Sequence, residues 1–194
     1  MKIGCVLMAA GLGRRFGENK LTVDLGCGET LINYALSAIP GDKFHRVVVV
    51  TQYPQVAALA EKYSFTPLHN PYPERGQSES IRIGLAALSD CDAVMFQVAD
   101  QPRLKKETVA DLIGFAAAHP DRIVGLGHRG RRGNPCIFPA RFFPELMALE
   151  GDVGGNVVIR AHPDALLLYE TSAAELRDVD TVEALAAVQE DRQI

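Results

Sequence analysis

The sequence predicts an α/β fold in which helices cover both faces of a mostly parallel β-sheet. Short apolar runs of β-branched or aliphatic residues alternate along the chain with segments of helical spacing. The connections between them are short, as is typical of parallel sheets. The 194 residues are enough for a core of their own, and no repeat or break in composition divides them. We therefore expect one domain over residues 1–194.

Strands are predicted where four short apolar runs are bounded by Gly, Pro, Asp or Asn. These runs cover residues 3–8, 47–50, 93–98 and 123–126. Helices are predicted over 31–39, 55–63, 80–88 and 107–118, the last from the stripe of Val109, Leu112, Ile113 and Ala116. In sheets of this kind, ligands bind at the carboxyl ends of the strands.

The second half of the chain is less regular. A turn rich in Gly and Arg is expected over 127–133, before an apolar run over 136–138 and helices near 141–149 and 155–161. A late strand over 165–169 precedes a final helix that opens at Asp180. Asp180 and Glu183 have the spacing of a capping box.

Composition narrows the class of partner. The formal net charge of -4 disfavours nucleic-acid binding, which requires clustered Lys and Arg. The apolar run after the N-terminus is too short to span a bilayer, and the four cysteines lack CxxC spacing, as expected of buried thiols in a reducing compartment. We therefore expect a cytoplasmic protein with a small-molecule partner and no membrane.

The most informative segment follows the first strand and reads AAGLGRRFGENK from Ala9 to Lys20. Its small residues let the backbone approach a ligand closely, and successive N–H groups of a tight loop bind phosphate oxygens. Arg14, Arg15 and Lys20 add cationic donors. The segment lacks the ending of a P-loop and does not match GxGxxG. We expect a phosphate-binding loop of another type; the alternative is a strand-to-helix turn with solvated arginines.

A carboxylate follows the most hydrophobic strand. Asp100, in the stretch ADQP, is expected at the carboxyl edge of the sheet, where a hard cation bridging triphosphate oxygens needs such a ligand. The alternative is that Asp100 and Pro102 only terminate the strand. The pairing of this stretch with the glycine-rich loop favours a metal ligand.

Six stretches resemble, in order, the motifs of the MobA/MocA-like nucleotidyltransferases. They are AAGLGRRFGENK, GQSESIRIGL, ADQP, RGNP, GDVGGN and DVDT, and the resemblance extends from Leu7 to Leu185. The MocA branch, the molybdenum cofactor cytidylyltransferases, is the more similar one. The resemblance implies a three-layer α/β/α, Rossmann-like nucleotidyltransferase fold, CTP and a molybdopterin-type acceptor as substrates, Mg²⁺ as cofactor and release of pyrophosphate.

The resemblance also implies roles for individual residues. The catalytic residues would be Arg15 and Lys20, which neutralise charge on the leaving pyrophosphate, and Asp100, which binds Mg²⁺ together with Asp180. The nucleotide would be bound by Ala9, Ala10, Gly11, Leu12, Gly13, Arg14, Lys20, Gly76, Gln77, Ser78 and Ser80. Two of these assignments have a purely structural alternative. Asp180 could simply cap a helix, and residues 76–78 could simply form a helix N-terminus capped by Ser.

The acceptor would lie against Arg132, Asn134 and Asp152, since cationic donors suit a phosphorylated pterin. The alternative is a solvated basic hairpin followed by a polar loop. A molybdoenzyme or chaperone that receives the product is a further implied partner. Two departures from the family pattern, Phe16 for Met and Ala99 for Gly, remove no reactive group.

Two other functions stay open at the level of sequence. One is the same chemistry with another substrate, either a sugar or polyol phosphate as acceptor or GTP-dependent guanylyl transfer to molybdopterin. The other is a nucleotide-binding module without catalytic activity. A hydrolase triad has no support, because neither Ser78 nor Ser80 lies in a GxSxG context.

Overall fold

The structure is a computed structural model that describes residues 1–11, 19–25, 28–181 and 184. Within these ranges, seven strands form one sheet in the order β3-β2-β1-β4-β6-β5-β7. The strands are β1 (Ile3–Ala9), β2 (Arg46–Thr51), β3 (Thr66–His69), β4 (Ala93–Val98), β5 (Ile123–His128), β6 (Arg131–Pro139) and β7 (Leu166–Glu170). Strand β6 runs antiparallel to both its neighbours, and the other strand pairs are parallel.

Helices lie on both faces of this sheet, as the alternation of strand and helix predicts. They are α1 (Leu31–Ser37), α2 (Pro54–Lys62), α3 (Gln77–Ala87), α4 (Lys106–Ala118), α5 (Phe143–Met147) and α6 (Asn156–Ala161). Helices α1, α2 and α4 share one core cluster with Cys5 and Leu7 of β1. Helices α3, α5 and α6 share the opposite cluster with Val6. This side-to-side alternation along β1 is the strand period that creates the three layers.

The antiparallel strand β6 determines which residues reach the carboxyl edge of the sheet. Phe96 of β4 pairs with Cys136 of β6, and Ala93 pairs with Pro139. Because the two strands run in opposite directions, residues that precede Cys136 lie beyond Phe96, towards Asp100. Arg132 and Asn134 therefore lie at the edge where β1 and β4 end.

Three parts of the sequence-based prediction need correction. Strand β3 was not predicted, because it is a half-exposed edge strand that contains Pro67 and has no apolar run. The turn expected over 127–133 is shorter: Arg129 and Gly130 form it with positive φ, and 131–133 belong to β6. The helix near 141–149 is shortened to α5, after one 3₁₀ turn over Ala140–Phe142.

The final helix falls largely outside the described residues, as does Glu183. One contact of this region is described: the Ala184 N–H donates to Thr181 Oγ1 at 3.1 Å. A hydroxyl that accepts from the N–H three residues later is typical of an N-cap, so Thr181 makes the contact that the sequence suggested for Asp180. No helix in the described ranges is long and apolar enough to cross a bilayer.

Candidate active site

Three consecutive side chains at the end of β2 bind the start of the glycine-rich loop. Thr51 Oγ1 donates to the Ala9 carbonyl at 3.0 Å, and Gln52 Nε2 donates to the Ala10 carbonyl at 2.8 Å. Tyr53 Oη donates to the Gly11 carbonyl, also at 2.8 Å. Ala9 and Ala10 are buried, whereas Gly11 is exposed. The loop thus leaves the sheet at its carboxyl edge with its first three carbonyl oxygens fixed.

Beyond the loop, the chain returns to the same edge at Lys20. Its Nζ lies 2.8 Å from Asp100 Oδ2, at the end of β4, and 3.5 Å from Asp180 Oδ1. The Lys20 and Asp100 side chains are only 18% and 21% exposed, whereas Asp180 is 60% exposed. The structure therefore brings together three of the residues that the sequence singled out.

The segment after β7 packs against the end of β4 and carries Asp180 into the site. The Val179 N–H donates to the Asp100 carbonyl at 2.9 Å, and Gln101 Nε2 donates to Asp178 Oδ1 at 2.8 Å. Lys20 Nζ donates to the Val179 carbonyl at 3.1 Å. Burial of the Asp178 carboxyl group and then the Asp100 carboxylate raise the pKa of Asp178. Negative charge is therefore concentrated around Lys20.

The donor set around Asp100 fits a magnesium ion. Asp100 Oδ1 is buried and has no hydrogen-bond partner within the described residues. No group of three or more His, Cys, Asp or Glu side chains capable of holding a metal occurs in the described ranges. Mg²⁺ that binds with a nucleotide takes one or two protein carboxylates, and phosphates and water complete its coordination. Asp100 and Asp180 could supply those two carboxylates.

Residue 76 is the point where the predicted nucleotide-binding and acceptor-binding segments meet. Gly76 has φ +81°, and a Cβ added there would lie 2.4 Å from Asp152 Cα. The Gln77 N–H, which opens α3, donates to Asp152 Oδ1 at 3.2 Å. Residues 76–78 therefore form a helix N-terminus, as the structural alternative suggested, but its N-cap residue is Gly76 and not Ser78. Asp152 supplies the capping carboxylate from a distant part of the chain.

The two serines of this segment lie in the interior. Ser78 is fully buried, and its Oγ has no partner within the described part of the chain. Ser80 is 6% exposed and accepts a hydrogen bond from Asn70 Nδ2 at 3.2 Å. Gln77, by contrast, is exposed and lines a cavity. Of the predicted side chains here, Gln77 is the one placed to meet a ligand.

A cavity of about 300 Å³ lies between the ends of β4 and β6, and Val98 is the last residue of β4 that lines it. Met8, Ile81, Phe96 and Phe138 supply apolar walls. The polar lining residues are Gln77, Arg132, Asn134, Asp152, Asn156 and Arg160. All three predicted acceptor-binding residues therefore line one cavity.

Arg132 is fixed within this cavity. Its Nη2 donates to Asn156 Oδ1 at 3.0 Å, and its Nη1 lies 3.3 Å from Cys136 Sγ. Burial raises the pKa of the Cys136 thiol, although Arg132 opposes this effect. Cys136 is therefore a neutral part of the wall and not a nucleophile.

Four of the sequence-predicted site residues lie outside the described residues: Leu12, Gly13, Arg14 and Arg15. Phe16, one of the two departures from the family pattern, lies outside them as well. The sequence analysis missed Thr51, Gln52 and Tyr53, which bind the loop, because a Thr-Gln-Tyr sequence carries no motif. The position of Thr51, directly after the run of four valines in β2, is the signal that could have placed it at the carboxyl edge. Ala99 does not have positive φ, which explains why Ala is accepted where the family has Gly.

The sequence matches the family described as MobA-like NTP transferase domain over residues 5–166. The chain belongs to this family and is a nucleotidyltransferase. Purine catabolism protein PucB of Bacillus subtilis is 27% identical over 191 residues, which cover 92% of this chain and 91% of PucB. Nicotine blue oxidoreductase of Paenarthrobacter nicotinovorans is 29% identical over 191 residues, or 93% of each chain. These two names leave the nucleotide and the acceptor of this chain open.

Solved structures confirm the expected fold. Rv0371c from Mycobacterium tuberculosis H37Rv superposes with a TM-score of 0.82 at 21% identity, over 98% of both chains. The structure of its complex with manganese superposes with a TM-score of 0.75 at 20% identity, over 98% of this chain and 99% of that chain. Molybdopterin-guanine dinucleotide biosynthesis protein A from Archaeoglobus fulgidus superposes with a TM-score of 0.74 at 17% identity, over 98% of both chains. At these identities the likeness is one of fold.

Proposed function

We propose that this nucleotidyltransferase transfers CMP from CTP to the phosphate of a molybdopterin-type cofactor and releases pyrophosphate. The observation that carries the proposal is the contact of 2.8 Å between Lys20 Nζ and Asp100 Oδ2. It connects the end of the glycine-rich segment to the carboxylate that follows β4, two residues after Val98, which lines the same cavity as Arg132. The choice of CTP and of the pterin rests on the resemblance of the sequence motifs to the MocA branch.

The reaction needs position and charge more than covalent chemistry. An oxygen of the acceptor's terminal phosphate attacks the α-phosphorus of CTP, and the bond from that phosphorus to the oxygen bridging to the β-phosphate breaks in line with the attack. The electron pair of that bond leaves with pyrophosphate. Lys20 and Arg15 would neutralise the charge that accumulates on the leaving group, which is where such an enzyme lowers its barrier.

Mg²⁺ is the proposed cofactor, with Asp100 and Asp180 as its protein ligands. Support comes from the unpartnered, buried Oδ1 of Asp100 and from the position of Asp180 near the same lysine. The manganese complex of Rv0371c adds a divalent cation bound to a protein of the same fold. When bound, such an ion supplies charge that offsets the triphosphate.

The two substrates would meet at Gly76. In this proposal the backbone of Ala9, Ala10 and Gly11 faces the triphosphate, and Gly76 and Gln77 lie against the base. Arg132, Asn134 and Asp152 face the acceptor. We further propose that the chain works as one domain, since core residues from Ile3 to Val179 share the two faces of one sheet. The proposed location is the cytoplasm, a reducing compartment that suits the buried free thiols of Cys5, Cys91 and Cys136.

A pyrophosphate-release assay tests the function. The purified protein is incubated with Mg²⁺, each of CTP, GTP, ATP and UTP, and either molybdopterin or a panel of sugar and polyol phosphates. We expect release with CTP and molybdopterin, and the cytidylylated product by mass spectrometry. Release with GTP or with a sugar phosphate would overturn the proposed substrates and keep the chemistry. Absence of release with every pair would defeat the proposal.

A further inference from the structure

The first three carbonyl groups of the glycine-rich loop all point to the same neighbouring segment, the end of β2. In a regular strand, successive carbonyl oxygens point to alternate sides. Here the oxygens of Ala9, Ala10 and Gly11 are all bound by donors from the end of β2. The backbone therefore leaves the strand pattern at this point and keeps one row of acceptors on one side.

This arrangement determines where the N–H groups of the loop point. In a trans peptide the carbonyl and the following N–H point in opposite directions. Since the Ala9 and Ala10 carbonyls face β2, the N–H groups of Ala10 and Gly11 face away from β2. Strand β1 lies between β2 and β4, so the side away from β2 is the side of β4 and Asp100. Consecutive N–H groups on one side form an anion-binding surface.

We propose that Thr51, Gln52 and Tyr53 are positioning residues that direct the N–H groups of Ala10 and Gly11 towards the triphosphate. The inference rests on the proposed function, because the triphosphate is the anion that these N–H groups would bind. The three side chains do not touch the reacting atoms. They act by preventing the first peptides of the loop from rotating.

The three residues are themselves held firmly. Thr51 is 2% exposed, its Oγ1 also accepts the Tyr53 N–H at 3.1 Å, and its carbonyl accepts the Asn70 N–H at 2.9 Å. Tyr53 directly precedes Pro54, the first residue of α2. The donors are thus fixed by β2, by the segment after β3 and by the start of α2. Donors oriented before the ligand arrives lower the cost of binding it.

Tyr53→Phe is the sharpest test, because it removes one oxygen and keeps the ring. We expect Kd for CTP with Mg²⁺ to rise about five-fold, the loss typical of one hydrogen bond. Inorganic tripolyphosphate should lose affinity by the same factor, because the effect arises at the phosphates. The KM of the acceptor should stay constant. Tyr63→Phe, just after the other end of α2, is the matched control. It should change neither the Kd for CTP nor the Kd for tripolyphosphate.

A second pair of variants separates positioning from folding. Thr51→Val removes the buried hydroxyl, and Thr51→Ser keeps it. We expect Thr51→Val to weaken tripolyphosphate binding and Thr51→Ser to restore it, whatever the melting temperatures of the two variants.

The outcomes are distinguishable. If the wild-type protein binds neither CTP nor tripolyphosphate, the proposed function and this inference both fail. If the wild type binds and Tyr53→Phe binds equally well, the positioning role alone is overturned. Equal losses for the triphosphate and the acceptor would also overturn it, because they would indicate a general structural tether.

Discussion

Lys20 Nζ and Asp100 Oδ2 lie 2.8 Å apart, which makes this ion pair the shorter of the two that Lys20 forms within the described part of the chain. Both side chains are mostly shielded from water, where an unpaired charge is costly. The pair thus keeps a cation and a carboxylate next to each other at the edge of the sheet. In the proposed complex each would gain a ligand as a further partner, the triphosphate for Lys20 and the metal for Asp100.

Asp100→Asn should abolish most of the turnover. The amide keeps the size of the side chain but replaces a carboxylate oxygen that a cation needs, so we expect kcat to fall by about 100-fold or more. Pyrophosphate release under saturating substrates measures the effect. The melting temperature should change by no more than about 4 °C. Unchanged turnover in a folded variant would mean that catalysis does not need the Asp100 carboxylate, and it would overturn the proposed metal-ligand role.

Lys20→Met should affect metal binding and nucleotide binding in opposite directions. Without the lysine charge, Asp100 and Asp180 repel each other, and we expect Mn²⁺ to bind about three- to ten-fold more tightly in the absence of nucleotide. CTP should bind more weakly. Calorimetric titration with each ligand alone measures both effects, and Lys62→Met, at the exposed end of α2, is the charge-matched control. Weaker Mn²⁺ binding in Lys20→Met would contradict the assignment of Asp100 as a metal ligand.

Gly76→Ala should destabilise the fold. A Cβ at this position would lie 2.4 Å from Asp152 Cα, and φ +81° with ψ -165° is a conformation that only glycine adopts readily. We expect a loss of roughly 1–3 kcal/mol in the free energy of unfolding, together with a higher KM for both substrates. Urea denaturation measures the stability.

Gly114→Ala is the matched control for this change. An added Cβ at Gly114, inside α4, meets no atom within 4 Å in the described residues. Alanine is more favourable than glycine in a helix interior, so the free energy of unfolding of this variant should rise by about 0.5–1 kcal/mol. If Gly76→Ala were as stable as the wild type, the close contact between residues 76 and 152 would not exist in solution.

Glu175→Gln should destabilise the protein in a pH-dependent manner. Glu175 is 5% exposed, and burial alone would raise the pKa of its carboxyl group. Hydrogen bonds from Thr108, Thr171, the Lys105 N–H and Ser172 outweigh burial, and the net effect is a lowered pKa. A lowered carboxyl pKa stabilises the fold above the unfolded-state pKa, and this contribution is lost as pH falls through the folded-state pKa.

We therefore expect a loss of about 2 kcal/mol for Glu175→Gln at pH 7, since hydrogen bonds to a charged group are broken. The difference between variant and wild type should shrink as pH falls below about 4. Thermal denaturation at a series of pH values measures it. A difference that stayed constant over this range would mean that the charge of Glu175 contributes nothing to stability.

The sequence predicted the central part of the fold because local patterns determine it. The buried strands β1, β2, β4 and β5 are short apolar runs, and the stripe on α4 is buried as expected. The pairing of the glycine-rich loop with Asp100 could be anticipated as well. Both segments follow strands, and the carboxyl ends of parallel strands share one edge.

Other features depend on contacts between segments far apart in the sequence. Asp152 caps a helix that begins 75 residues earlier, and no local pattern indicates this. The three donors after β2 bind carbonyls 42 residues away. Side chains recruited to backbone groups of a distant segment leave no periodic signal, so sequence patterns alone could not reveal them.

The reversed direction of β6 has a consequence for how such an enzyme can change its substrate. The residues proposed to face CTP follow strands that end at this edge, whereas Arg132 and Asn134 belong to the opening part of a strand that starts there. A two-residue hairpin at 129–130 sets the alignment of that opening part with β5. Lengthening or shortening that hairpin would change how Arg132 and Asn134 align with β5 without altering any residue of β1 or β4. In the proposed function, acceptor choice could therefore diverge during evolution while the residues proposed to face the nucleotide stay the same.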